Sequence, residues 1–193
     1  MLETDLLKPR CFWCNLKNPV YIAYHDNEWG VPCENERSLY ELFILETFQA
    51  GLSWECILNK RGNFRTAYDN FNIDKVCLYG AAKTEELMLN SGIIRNRAKI
   101  EASIANSRIY KDIAAEFGGF GNYLRSFTGG KILREPDQKV TTNEWSDSIS
   151  KDLKKRGMRF VGSTTIYAFL QAAGIINSHA EVCFCSPEYM NRR

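Results

Sequence analysis

From Cys33 to Glu135 the chain has no proline, and its apolar residues recur every three or four positions with little period-two alternation. That spacing predicts helices. One runs from about Glu36 to Ala50 with Leu39, Leu42, Phe43 and Ala50 on one face, and Gly51 breaks it. Trp54, Ile57 and Leu58 carry the pattern into a second helix. Thr84-Glu-Glu86 reads as the cap and acidic first turn of a third, with Gly92 as a stop soon after Leu89. A long helix follows over about Asn96–Phe117, burying Ile100, Ile104 and Ile113. Gly118-Gly119 and Gly129-Gly130 bracket a short helical piece containing Tyr123, Leu124 and Phe127. The polar stretch 131–142, which holds Pro136, reads as a loop or lobe connection. Ser146 or Asp147 then caps a helix through Ile149 and Leu153 to Gly157, and a last helix spans about Thr164–Ala173 before Gly174. The class expected is all-α.

One segment breaks the pattern. Tyr21-Ile-Ala-Tyr-His-Asp-Asn-Glu-Trp-Gly30 mixes aromatic and charged residues without amphipathic period. It reads as poor helix and as a wall for a flat ligand on which aromatic faces stack.

Composition narrows the picture. With 193 residues, 45% of them hydrophobic, the chain can build one substantial core, and 1–193 reads as a single compact unit with tails at 1–10 and 187–193. A net charge of +2 is too small to argue for nucleic acid by itself. Basic residues do bunch, at Lys60-Arg61, at Arg95, Arg97 and Lys99, and at Lys154-Lys155-Arg156 with Arg159. Seven irregularly spaced cysteines fit reduced thiols better than a disulfide scaffold. Met1–Arg10 shows no apolar signal core, and no stretch approaches a membrane span. A cytoplasmic protein with no membrane partner is expected, and a monomer.

Three sets of residues carry candidate chemistry. Both histidines have cysteines nearby: Cys11 and Cys14 precede His25, and Cys183 follows His179 at i+4. Thiolate and imidazole are the ligands zinc prefers, and four of them complete a tetrahedral site. Cys14 and Cys185 stand as alternates. Glu46 shares a helix face with Leu39, Leu42 and Phe43, where a lone carboxylate costs several kcal/mol unless it meets a partner, a wet pocket or a ligand. Gly92-Ile-Ile-Arg-Asn-Arg97 lies between two helices, where backbone N–H groups and the helix dipole suit a phosphate oxygen.

The run Tyr21–Pro32 resembles the signature of the bacterial DNA-3-methyladenine glycosylase I family. So do Gln49-Ala-Gly-Leu-Ser-Trp54, Gly92-Ile-Ile-Arg95 and Leu153-Lys-Lys-Arg-Gly-Met-Arg-Phe-Val-Gly162, and the likeness extends from about Cys11 to Cys183. The resemblance implies a two-lobed helix-hairpin-helix glycosylase fold and one structural zinc per chain, held by Cys11, His25, His179 and Cys183. It makes Glu46 the catalytic carboxylate, Trp54 the stacking ring and Tyr24 a pocket wall, with Trp13, Tyr21 and Trp29 near it. Gly92, Ile94, Arg95 and Arg97 become the hairpin contacts to the DNA backbone.

Thr47 and Phe48 depart from the family pattern, and Phe48 is expected to narrow or reshape the pocket. The implied reaction is base-flipping and hydrolytic release of 3-methyladenine from double-stranded alkylated DNA, with the free base as product, an abasic site left behind and no strand cleavage. Asp112 reads as a solvated residue. The competing readings are a zinc-stabilised DNA-binding module without catalysis, and a glycosylase with shifted alkylpurine specificity.

Overall fold

The computed structural model describes residues 8–191 and is built almost wholly of helices. Chain order gives α1 (Pro19–Asn27), α2 (Glu36–Gln49), α3 (Trp54–Asn59), α4 (Arg61–Ala67), a 3-10 turn (Asp69–Phe71) and α5 (Ile73–Val76). Then come α6 (Ala81–Leu89), α7 (Arg97–Phe117), α8 (Phe120–Thr128), α9 (Glu144–Lys155), α10 (Ser163–Ala172) and α11 (Pro187–Met190). The exception is a two-residue parallel ladder, β1 (Leu133–Arg134) with β2 (Ile176–Asn177). It lies partly in the stretch read as loop, and it brings Arg134 beside the chain that leads into His179.

Helix α2 organises the molecule. It is buried from Leu39 through Phe48 and packs on α3, α7, α8 and α10. A helix covered on all sides has no solvent face to spare, so its polar side chains need an explanation. Asn35 caps its start by accepting from Ser38 N.

Several ends differ from the sequence reading. The segment read as poor helix forms α1, capped by Asn18, whose side chain accepts from Val20 N and Tyr21 N, and opened by Pro19. Tyr21, Ile22, Tyr24 and His25 form its one buried face, and α1 shows no apolar stripe because that face carries tyrosine and histidine while the apolar Val20 and Ala23 are exposed. Helix α6 begins after Gly80, a turn before Thr84, whose hydroxyl donates to Gly80 O. Asn143 caps α9, and Ser146 is its reciprocal capping-box partner. The ends expected to be tails carry structure where they are described. Arg10 makes a part-buried ion pair with Asp26, and Glu188 on α11 pairs with Arg134 at 2.6 Å.

Candidate functional site

Two carboxylates on α2 are buried, and they differ in company. Glu41, 6% exposed, pairs with Arg61 and Arg65. Glu46, 3% exposed, has a buried Oε2 with no hydrogen-bond partner. Burial alone pushes its carboxyl up to about 8. An unpaired buried acid is costly to keep. This one borders a cavity of about 170 Å³.

The other walls are aromatic. Trp13 comes from the N-terminal segment, Tyr21 and Tyr24 from α1, Trp29 from the turn after it, and Trp54 from the start of α3. All six side chains singled out in the sequence therefore meet around one space. Trp13 lies edge-on to Trp29 at 4.7 Å and tilted to Tyr21 at 5.4 Å, while Tyr24 tilts against Trp54 at 5.3 Å. The Trp54 Nε1 is buried without a partner. Gln49, Ala168 and Gln171 complete the lining. A larger cavity, about 320 Å³, opens near Tyr110, but its charged groups Glu36, Arg37, Asp74 and Lys111 are all exposed.

Phe48 does not reach the site. It is fully buried and packs edge-on against Phe64 at 4.9 Å. The Thr47 hydroxyl donates to Ile44 O in its own helix. Neither residue reshapes the pocket, because i+1 and i+2 do not share a face with Glu46.

Beside the cavity, Cys11, His25, His179 and Cys183 bring their ligand atoms within 4.8 Å of one another, all four residues buried. The Cys183 Sγ lies 3.5 Å from His25 Nε2 and 3.4 Å from His179 Nδ1, and Cys11 Sγ lies 3.6 Å from His179 Nδ1. The outer ring nitrogens are both committed: His25 Nδ1 donates to Asp26 Oδ1 at 2.8 Å and His179 Nε2 to Trp29 O at 3.0 Å. Each imidazole thus turns an unprotonated nitrogen toward the thiols, as a metal ligand requires. These four residues can hold a metal ion. Cys14 Sγ instead faces Tyr21 O, and Cys185 Sγ faces Asp26 O.

The cluster also shapes the pocket, since the His179 ring stands edge-on to Trp29 at 4.7 Å. Gly30 permits that approach: its φ is +75°, and a Cβ there would meet the His179 ring at 3.1 Å.

The hairpin turn lies between α6 and α7. Asn63 from α4 packs so closely on Gly92 that a Cβ there would meet it at 3.0 Å. Ile93 is buried and Ile94 half-buried, Arg95 is exposed, and Arg97 pairs with Glu85 at 2.6 Å. Asp112 is exposed on α7.

Residues 13–186 match the family model described as methyladenine glycosylase. The chain belongs to that family. The DNA-3-methyladenine glycosylase 1 of Escherichia coli (strain K12) is 42% identical over 185 residues, covering 92% of this chain and 97% of that protein. A crystal structure of 3-methyladenine DNA glycosylase I matches with a TM-score of 0.88 at 41% identity, over 93% of this chain and 100% of that one. The Staphylococcus aureus enzyme, solved for the structural basis of its 3-methyladenine recognition, gives 0.83 at 34% identity, over 90% of this chain and 93% of its own.

Within this methyladenine glycosylase, sequence reasoning missed Ala168 and Gln171 as pocket lining. They arrive on α10, where an apolar helix gives no local sign of a ligand. Gln49 sits inside a quoted motif, and its place one turn after Glu46 is the signal that could have found it.

Proposed function

We propose that this chain removes 3-methyladenine from alkylated duplex DNA by hydrolysing the N-glycosidic bond, leaving an abasic site and an intact strand. The observation that carries the reading is the buried, unpartnered Glu46 carboxyl on a cavity walled by Trp13, Tyr21, Tyr24, Trp29 and Trp54. An adenine alkylated at N3 in DNA is cationic, so it leaves without being protonated. The pocket's task is to prefer the cation. With a carboxyl near 8, Glu46 is largely protonated at neutral pH while the pocket is empty. A cation entering beside it restores the charge balance and favours the carboxylate, which then accepts from the exocyclic amine. Neutral adenine supplies no such compensation. Indole faces add about 0.5–2 kcal/mol for a stacked cation.

The base must leave the duplex first, at a cost of roughly a few kcal/mol. The loop between Gln49 and Trp54, two pocket residues, presents Leu52 at 39% exposure. An apolar side chain at the rim suits the gap that a flipped nucleotide leaves. Gly92, Ile94, Arg95 and Arg97 are assigned to the phosphate backbone, with the exposed Arg95 as the freest charge.

The metal is assigned as zinc. Sulfur and nitrogen ligands placed tetrahedrally around zinc stand about 3.5 Å apart, which the 3.4–3.6 Å separations match. With four protein ligands the ion has no open position for a catalytic water, so its contribution is to hold the terminal segments in place. One zinc per chain is the expected result of elemental analysis. The chain is taken to act as a monomer in the cytoplasm, and no helix among the described residues is long and apolar enough to cross a membrane.

Incubation with methylated duplex DNA, followed by separation of the freed bases, tests the reading. Free 3-methyladenine and unnicked abasic DNA are expected. Release of no base overturns the enzyme, and 7-methylguanine as main product overturns the specificity.

A further inference from the structure

Helix α7 begins with an electrostatic conflict. Its first turn carries Arg97 and Lys99 and no acidic residue, although a helix N-terminus favours negative charge. Arg97 is answered by Glu85. Lys99 is answered elsewhere: it is 8% exposed, and its Nζ donates to Phe48 O at 2.8 Å and Ala50 O at 2.6 Å. Those carbonyls close α2, where helix geometry leaves acceptors unpaired and the dipole is negative. The cation that strains one helix start therefore completes another helix end. That end lies one turn past Glu46 and opens directly into the Gly51-Leu52 loop.

A second link runs the other way. Lys60, just past α3, donates from Nζ to Ser91 O at 3.2 Å and Gly92 O at 3.4 Å, and Asn63 Nδ2 donates to Gly92 O at 3.3 Å. The segment from α2 to α3, with the rim loop in its middle, is thus tied to the hairpin at both ends.

We propose that Lys99 is a positioning residue that fixes the rim loop, 50–53, relative to the hairpin, 91–97, so that the strand gripped by one is in register with the wedge and pocket carried by the other. This rests on the glycosylase reading for what the register achieves. The clasp itself needs only DNA binding. A buried ammonium on two backbone carbonyls holds a fixed distance that an apolar side chain of the same length cannot. With Lys99→Met, Lys60 and Asn63 still hold the hairpin, but the rim loop loses its anchor on the α2 side.

The test compares wild type, Lys99→Met and Lys99→Arg by amide hydrogen exchange, free and bound to a duplex oligonucleotide carrying one tetrahydrofuran abasic-site analogue. Excision from methylated duplex DNA and binding of free 3-methyladenine, followed by tryptophan fluorescence, are measured alongside. In wild type, DNA slows exchange at 91–97 and 50–53 together. Lys99→Met keeps protection at 91–97 and keeps its affinity for the free base. It loses protection at 50–53, and kcat/KM falls on the order of 100-fold, as for a small misplacement of reacting groups. Lys99→Arg, which retains the charge and donors, recovers most of both.

The proposal is overturned if Lys99→Met protects both segments as wild type does. It is equally overturned if hairpin protection and free-base binding are lost together, the mark of general damage, or if wild type shows no protection at 50–53. Coupled protection in a wild type that releases no 3-methyladenine would leave the clasp standing and remove the excision reading.

Discussion

At Glu46 burial raises the carboxyl from its ordinary 4.5 to about 8 with no partner to offset it, so one side chain ties together stability, pH and rate. Below 4.5 the group is protonated in folded and unfolded chains alike and contributes nothing. As pH rises toward 8 the unfolded chain releases its proton while the folded one retains it, so stability falls through that interval and levels beyond it. At about 1.4 kcal/mol per unit the cost reaches several kcal/mol. Glu46→Gln removes it. The Tm of this variant is expected to exceed that of wild type by a margin that grows between pH 5 and 8, measured by thermal denaturation at each pH. Its activity moves the other way. kcat/KM on methylated DNA rises in wild type up to about pH 8 as the carboxylate forms. In Glu46→Gln it is lower by about 10- to 100-fold, the value of a charged over a neutral acceptor, and flat with pH. A parallel pH–rate profile in the variant would remove Glu46 as the titrating group. Phe48 teaches the converse lesson. It stands two residues after Glu46, and two steps along a helix turn the side chain to the far side, where Phe64 receives it.

Among the elements, the rim loop converts helix ends into a tool. Gly51, at φ +78°, turns the chain, and Ser53 caps α3 by accepting from Cys56 N, so Leu52 projects between two fixed helices. Leu52→Ala shortens the proposed wedge without touching the pocket lining. Excision from duplex DNA is expected to drop by about tenfold, a fraction of the unstacking cost, while affinity for free 3-methyladenine stays at the wild-type value. Equal losses in both assays would place Leu52 in the pocket instead. Helices with apolar residues at three- and four-residue spacing and a clear stop were legible from sequence: α2 and α10 each end within one residue of the reading, and α7 runs to Phe117 as read. Helix α1 was not, because its buried face is made of Tyr21, Tyr24 and His25 beside Ile22 while Val20 and Ala23 are exposed, which erases the apolar stripe that announces a helix. The α9 start was ambiguous for another reason: both partners of a capping box are cap-forming residue types, and only the geometry tells Asn143 from Ser146. Nor does sequence hint that Lys99 reaches carbonyls 51 and 49 residues away.

Over the whole molecule, the four residues that can hold a metal were legible because Cys and His are rare residue types, whereas their contact with Trp29 required the fold. Chelation followed by removal of the ion is expected to lower Tm. At this chain length a loss of about 4 kcal/mol corresponds to roughly 10 °C. It also weakens free-base binding, since His179 then no longer holds Trp29 against Trp13. An unchanged Tm after removal of the ion would deny the metal a structural role. The cluster joins Cys11 to His179 across 168 positions. Contacts of that span form late, because a long loop must close before they contribute. During synthesis, α2 with Glu46 and the hairpin with its arginines emerge well before His179 and Cys183 exist to receive Cys11 and His25. A nascent chain therefore carries the hairpin proposed to grip DNA before it has a finished base pocket. Competence to hold the damaged base comes only once His179 and Cys183 have left the ribosome.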